Sequence, residues 1–133
     1  MDISLIRCWD EIYKSWKVFG MPILIQNLLS KYIEDLLGIY GKHLRSAILY
    51  GSYARGDFNE DSDVDIMILL DLTDMDIKNY RHQLSKLTYD FNMEYNIDIK
   101  PIAKSEHHFK KWMDAYPFYA NVNKEGVNLY HAA

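Results

Sequence analysis

Gly51-Ser52-Tyr53-Ala54-Arg55-Gly56-Asp57-Phe58-Asn59-Glu60-Asp61-Ser62-Asp63-Val64-Asp65 is a run of turn chemistry set between two apolar stretches, and its reading decides the fold. Before it, Ser46-Ala47-Ile48-Leu49-Tyr50 is short, apolar and stopped by Gly51, which predicts a buried strand. After it, Val64-Asp65-Ile66-Met67-Ile68-Leu69-Leu70 is apolar on both faces from Ile66 onward, the pattern of a strand in the middle of a sheet. Three familiar readings of the turn fail on spacing. A phosphate-cradling P-loop would need Lys and then Ser or Thr after Gly56, where Asp57 stands and would repel phosphate. A calcium loop beginning at Asp57 would need Gly at its sixth position and Glu at its twelfth, which are Ser62 and Ile68. Arg55-Gly56-Asp57 as an adhesion tripeptide is three letters in a chain with no sign of secretion.

What survives is a strand ending in Gly51-Ser52, a gap of ten residues, and Asp63-x-Asp65 opening the next strand. Gly51 lets a ligand approach the backbone with no Cβ in the way, and Ser52 offers a hydroxyl and an N–H to a phosphate. Residues i and i+2 of a strand point to one face, so Asp63 and Asp65 aim together. Two carboxylates held so close repel unless a cation lies between them, and magnesium is the hard, oxygen-seeking ion that suits them beside substrate phosphates. Asp98 is the natural third member. Its neighbours Ile97 and Ile99 face the core, so Asp98 and Lys100 face the other way, and three carboxylates could hold two metal ions if that strand lies beside Asp65. Arg55 suits either the wall of a triphosphate pocket or an ion pair with a nearby acid. Lys100 and Lys104 are candidates to steady phosphates, while Asp57, Asn59, Glu60 and Asp61 read as a solvated turn.

Gly51-Ser52, ten residues, Asp63-x-Asp65 and then Asp98 resembles the active site of the polymerase-β-type nucleotidyltransferase superfamily. Within it, the short form Gly51-Ser52-Tyr53-Ala54-Arg55-Gly56-Asp57 is similar to the minimal nucleotidyltransferases, the MNT antitoxins encoded beside HEPN-domain ribonuclease toxins. The likeness runs from about Met21 to Tyr130 and takes in Pro117-Phe118-Tyr119, Asn123-Lys124-Glu125-Gly126-Val127 and Tyr130; the first twenty residues fall outside it. The resemblance implies a mixed sheet flanked by helices and ATP with magnesium, two ions in all, as donor. It implies transfer of AMP to a hydroxyl of the toxin, a tyrosine by expectation, with release of pyrophosphate and a hetero-oligomer with that toxin. On this reading Asp63, Asp65 and Asp98 are catalytic and metal-binding, and Gly51, Ser52, Arg55, Asp63 and Asp65 bind the nucleotide. Two alternatives stay open: an antitoxin that neutralises by covering its partner without catalysis, and a nucleotidyltransferase acting on a small molecule.

The rest of the chain supplies the frame. Leu5, Trp9, Ile12, Trp16 and Phe19 form a bulky helical stripe closed by Gly20, Met21 and Pro22, so residues 1–20 are expected to be an added helix and 21–133 the nucleotidyltransferase domain. Ile25, Leu28, Leu29, Tyr32, Ile33, Leu36, Leu37 and Tyr40 predict a second helix closed by Gly41. Thr73, Asp74 and Asp76 suit the start of a third, with Ile77, Tyr80, Leu84, Leu87 and Phe91 inward. A third strand is expected over about residues 95–102, with Pro101 stopping it or marking an edge; then come one or two short helices, a break at Pro117 and a last strand at 127–130. These elements make an α+β domain, a small mixed β-sheet flanked by helices. With 133 residues it is one domain. Fifteen Lys and Arg against nineteen Asp and Glu argue against gripping a nucleic-acid backbone. One cysteine, Cys8, excludes an internal disulfide and a cysteine-rich zinc site, and no apolar run reaches a membrane span, so a cytoplasmic protein is expected.

Overall fold

The computed structural model describes residues 21–133. The expected N-terminal helix, with Leu5, Trp9, Ile12, Trp16, Phe19 and Cys8, lies outside the described residues. The first described helix, α1 (Ile23–Tyr40), turns Leu29, Tyr32, Ile33, Leu36 and Tyr40 inward, and all five are buried. The same face carries buried Gln26, whose Nε2 donates to the Met21 carbonyl at 2.7 Å while its Oε1 has no hydrogen-bond partner among the described residues. Gly41 ends α1 by donating its N–H to the Leu37 carbonyl. A short 3-10 turn, Gly41–His43, then leads into β1 (Leu44–Tyr50).

The chain continues through a single helical turn, α2 (Ser52–Arg55), to β2 (Val64–Leu70). Next come α3 (Asp74–Asn79), capped by Thr73 Oγ1 accepting from the Asp76 N–H, and α4 (Arg81–Tyr95). Then follow β3 (Ile99–Ser105), α5 (Glu106–Trp112), α6 (Pro117–Glu125) and β4 (Val127–His131). No helix among the described residues is long and apolar enough to cross a membrane.

The sheet order is β3-β2-β1-β4, with β1 antiparallel to both of its neighbours and β2 parallel to β3. This is the α+β mixed sheet that the sequence predicts. Alternation along β2 sorts its side chains between two layers. Val64, Ile66, Ile68 and Leu70 meet α1 and α4, while Met67 and Leu69 meet Phe109 of α5 and Tyr119 and Val122 of α6. Both faces of β2 are therefore covered, which is why it reads as a continuous apolar run.

Four details differ from expectation. The turn after Gly51 contains α2. The third helix is two, broken at Tyr80, where φ −90° and ψ −5° and an N–H donated back to the Ile77 and Lys78 carbonyls tighten the turn. The third strand begins at Ile99 because α4 runs on to Tyr95 and closes through Asn96 at φ 51°. Pro117 opens α6 instead of merely breaking the chain, since a first-turn N–H has no helical partner to lose. Pro101 does not stop β3; it sits inside it, at the edge of the sheet. The backbone of Ile99 is held there by Asn92, whose Oδ1 accepts from the Ile99 N–H at 3.0 Å and whose Nδ2 donates to its carbonyl at 3.1 Å.

Candidate active site

Antiparallel pairing sets Tyr50 opposite Asp65, so the last residue of β1 and the second residue of β2 lie side by side. The chain leaves β1 through Gly51 at φ 76° and ψ −153°, a conformation essentially reserved for glycine. Glycine is needed there for a second reason: a Cβ would collide with Oδ2 of Asp65. The Asp65 carboxylate thus rests against bare backbone. The Gly51 carbonyl accepts from the N–H groups of Ala54 and Arg55, both at 3.1 Å, which closes α2. The loop beyond is held by its own side chains. Asn59 Oδ1 accepts from the Asp61 N–H at 2.8 Å, Ser62 Oγ from the Asn59 N–H at 2.9 Å, and Phe58 stacks on buried Tyr53 at 4.5 Å. Asn59 is turn chemistry, as expected, and Asp57 pairs with Arg55 Nε at 3.2 Å.

Parallel pairing of β2 with β3 sets Val64 against Ile99 and Asp65 against Lys100, and the Val64 N–H donates to the Asp98 carbonyl at 2.8 Å. Asp98, one residue ahead of β3, therefore stands beside Asp63. Lys100 reaches both carboxylates, with Nζ 3.8 Å from Asp63 and 4.0 Å from Asp98. The electrostatics are those of crowded like charges. Burial pushes the Asp65 carboxyl above the usual range, with Asp63 and Asp98 adding to it and Lys100 and Arg55 opposing. Asp98 is also raised, first by its neighbour Asp63, which a proton on Asp98 can bridge, and then by desolvation. Burial, and then Asp65, push the Tyr50 phenol up to about 12, so it stays neutral.

These groups edge an open cleft of about 420 Å³. Tyr50, Gly51, Ser52, Arg55, Asp63 and Asp65 form one wall, and α6 supplies the other through Phe118, Asn121, Val122 and Glu125. Arg55 does both things its sequence context allows: it lines the cleft, and it pairs with Asp57 and, across the cleft, with Glu125 at 3.6 Å. Lys104 does not join. It pairs with Leu69, four residues further along β3, roughly 13 Å from Lys100 at strand rise. Asp98 stands next to Asp63 but is not part of the cleft lining.

Among the described residues no three His, Cys, Asp or Glu side chains form a ready-made metal-ligating group. The donor chemistry still fits a hard divalent cation. Asp63, Asp65 and Asp98 offer only oxygen, and Lys100, within 4.0 Å of Asp63 and Asp98, is the cation that reaches two of the three. The α6 wall was missed by sequence reasoning. Its signal is the spacing 118, 121, 122, 125, one helix face, but a face of mixed character that no apolar periodicity reveals.

A glycine turn beside paired acids at the start of β2, on a mixed sheet with helices on both faces, defines a nucleotide-transferring protein. The model of the family described as Polymerase beta, Nucleotidyltransferase matches residues 31–131, and the chain belongs to that family; it is a nucleotidyltransferase. It is 33% identical over 105 residues to "Putative protein adenylyltransferase MJ0604" of Methanocaldococcus jannaschii, covering 79% of this chain and 97% of that protein. It is 35% identical over 78 residues to "Putative protein adenylyltransferase MJ0141" of the same organism, covering 59% of this chain and 77% of that one. Among solved structures, the "putative nucleotidyltransferase" from Sulfolobus solfataricus covers 88% of this chain and 84% of its own, with TM-score 0.56 and 19% identity, a likeness of fold.

Proposed function

We propose that this protein transfers AMP from ATP to a tyrosine hydroxyl of a HEPN-domain ribonuclease toxin, and so acts as its antitoxin. The observation that carries the reading is the grouping of Asp63, Asp65 and Asp98 at the head of the adjacent parallel strands β2 and β3, with Asp63 and Asp65 lining the cleft beside the Gly51-Ser52 turn. A protein acceptor is supported by the names of the two archaeal relatives, and the toxin by the resemblance of Gly51-Ser52-Tyr53-Ala54-Arg55-Gly56-Asp57 to the MNT antitoxins. Residues 21–133 make the nucleotidyltransferase domain, with 1–20 as an added element.

Gly51 and Ser52 receive the phosphates, the Ser52 hydroxyl donating to a phosphate oxygen, and Arg55 adds positive charge from the same wall. Asp63 and Asp65 would hold the magnesium that accompanies the triphosphate, and Asp98 with Asp63 a second ion. Bound there, divalent ions supply charge neutralisation of the phosphates and acidify the acceptor hydroxyl. The acceptor oxygen forms a bond to the α-phosphorus, the bond from that phosphorus to the bridging oxygen breaks, and pyrophosphate leaves with the electron pair. A tyrosine hydroxyl has a pKa of about 10 and needs a base at neutral pH. Asp98, standing beside Asp63 at the edge of the cleft, takes its proton.

The test is intact mass of the purified HEPN partner after incubation with this protein, ATP and magnesium. The expected result is a gain of whole AMP units, lost in the Asp63→Ala, Asp65→Ala double variant, with antitoxin rescue in cells lost in parallel. A double variant that still rescues without adding mass would replace this reading with neutralisation by binding alone.

A further inference from the structure

Phe118 is an aromatic residue left 44% exposed on the wall of a polar cleft. It meets the ring of Tyr50 edge to face, with centroids 5.6 Å apart and an interplanar angle of 85°. It opens the α6 face on which Asn121, one turn later, and Glu125, two turns later, also reach the cleft. Glu125 marks the phosphate end, because it pairs with Arg55 next to the Gly51-Ser52 turn. Seven residues of helix separate Phe118 from Glu125, a rise of roughly 10 Å, which suits the span from the phosphates of an extended nucleotide to its base.

We infer that α6 carries the base subsite of this nucleotidyltransferase: Phe118, braced by Tyr50, stacks on the base of the nucleotide, and Asn121 reads its edge. This rests on the proposed nucleotide reading of the Gly51-Ser52 turn and names the half of the substrate that the turn and the acids do not hold. Stacking needs only a π-face and so tolerates any base. Discrimination has to come from a hydrogen-bonding edge, and Asn121 is the cleft residue whose side chain carries both an amide donor and a carbonyl acceptor. That pair matches the N6 amino group and ring nitrogen of adenine, whereas guanine presents two acceptors on the corresponding edge. The subsite therefore favours ATP over GTP. Tyr50 fits a bracing role, because its ring meets Phe118 edge to face from the end of β1.

The experiment measures equilibrium affinity of the full chain for ATP, GTP and inorganic tripolyphosphate in magnesium, with folding checked by circular dichroism. Phe118→Ala should weaken ATP about tenfold, leave tripolyphosphate unchanged, and be rescued by Phe118→Trp. Asn121→Ala should reduce the preference for ATP over GTP and leave tripolyphosphate unchanged. If ATP and tripolyphosphate both bind but Phe118→Ala weakens neither, or weakens both equally, the subsite is wrong. If Asn121→Ala leaves the ATP preference intact, edge reading by Asn121 is wrong. If neither ligand binds the unsubstituted chain, the nucleotide reading of the turn falls, and the subsite with it.

Discussion

Gly51→Ala puts two separable costs on one position, and the structure says how to tell them apart. The first is backbone strain. At φ 76° and ψ −153° a residue with a Cβ is held in a region that costs on the order of 1–3 kcal/mol. The second is steric, since the new methyl meets Oδ2 of Asp65 and the carboxylate has to turn away from the cleft. For a domain of this size each kcal/mol lowers Tm by roughly 3–5 °C, so strain alone predicts a fall of about 3–15 °C. Gly56 is the control. It also has positive φ, at 84°, but nothing lies within 4 Å of its Cβ position, so Gly56→Ala carries strain without collision. The assay is urea and thermal unfolding followed by circular dichroism, on Gly51→Ala with and without Asp65→Ala. Removing Asp65 should relieve the steric part and leave the strain, a coupling of about 0.5–3 kcal/mol between residues in contact. Metal-dependent ATP binding should fall in Gly51→Ala and stay near normal in Gly56→Ala. A Tm for Gly51→Ala within about 1 °C of the parent, or an identical cost with and without Asp65, would refute the reasoning.

Asp65→Asn should raise Tm at neutral pH in the absence of metal. The raised folded-state carboxyl binds its proton more tightly than the unfolded chain does, so stability declines as pH rises from the ordinary aspartate value through the raised one, and Asn removes that decline; parent and variant Tm values should converge near about pH 3. Asp98→Ala should reduce AMP transfer far more than ATP affinity, measured by single-turnover kinetics beside equilibrium binding. Tyr32→Phe should cost about 1–3 kcal/mol in urea unfolding, because the buried Thr88 Oγ1 loses its 2.7 Å partner. Gly126→Ala, at a residue outside the cleft lining, should weaken ATP binding through α6: its Cβ would strike the carbonyl of Val122, a cleft residue, and Ile48 Cγ2, forcing α6 to move.

β2 was legible to the residue because it is buried on both faces, and so was the apolar face of α1. The start of β3 was not, because Tyr95 and Ile97 alternate as a strand would, while Phe91 and Tyr95 also sit at helix spacing; only the packing of Phe91 against Tyr32 and Tyr95 decides for the helix. The placement of Asp63 beside Asp98 needed the parallel register of β2 and β3, a long-range pairing that one sequence leaves open. Arg55 had two readings, cleft wall or ion pair, and the structure shows both, since a guanidinium can line a cleft and pair with acids at once. The α6 wall escaped notice because Phe118, Asn121 and Glu125 share a face but no common chemistry.

The outer border of β3 has a consequence for how this protein can associate. A strand at the rim of a sheet ordinarily offers free amides and carbonyls on which another chain can continue the ladder. Here Asn92 holds the Ile99 N–H and carbonyl, as a neighbouring strand would, and two residues on Pro101 has no N–H to give. Growth of the sheet on that side is blocked by two unrelated devices within three residues. The rim beside Asp98 and β2 is thereby kept from templating aggregates, and a macromolecule approaching these acids has to meet them by side chains and shape, not by lending a strand.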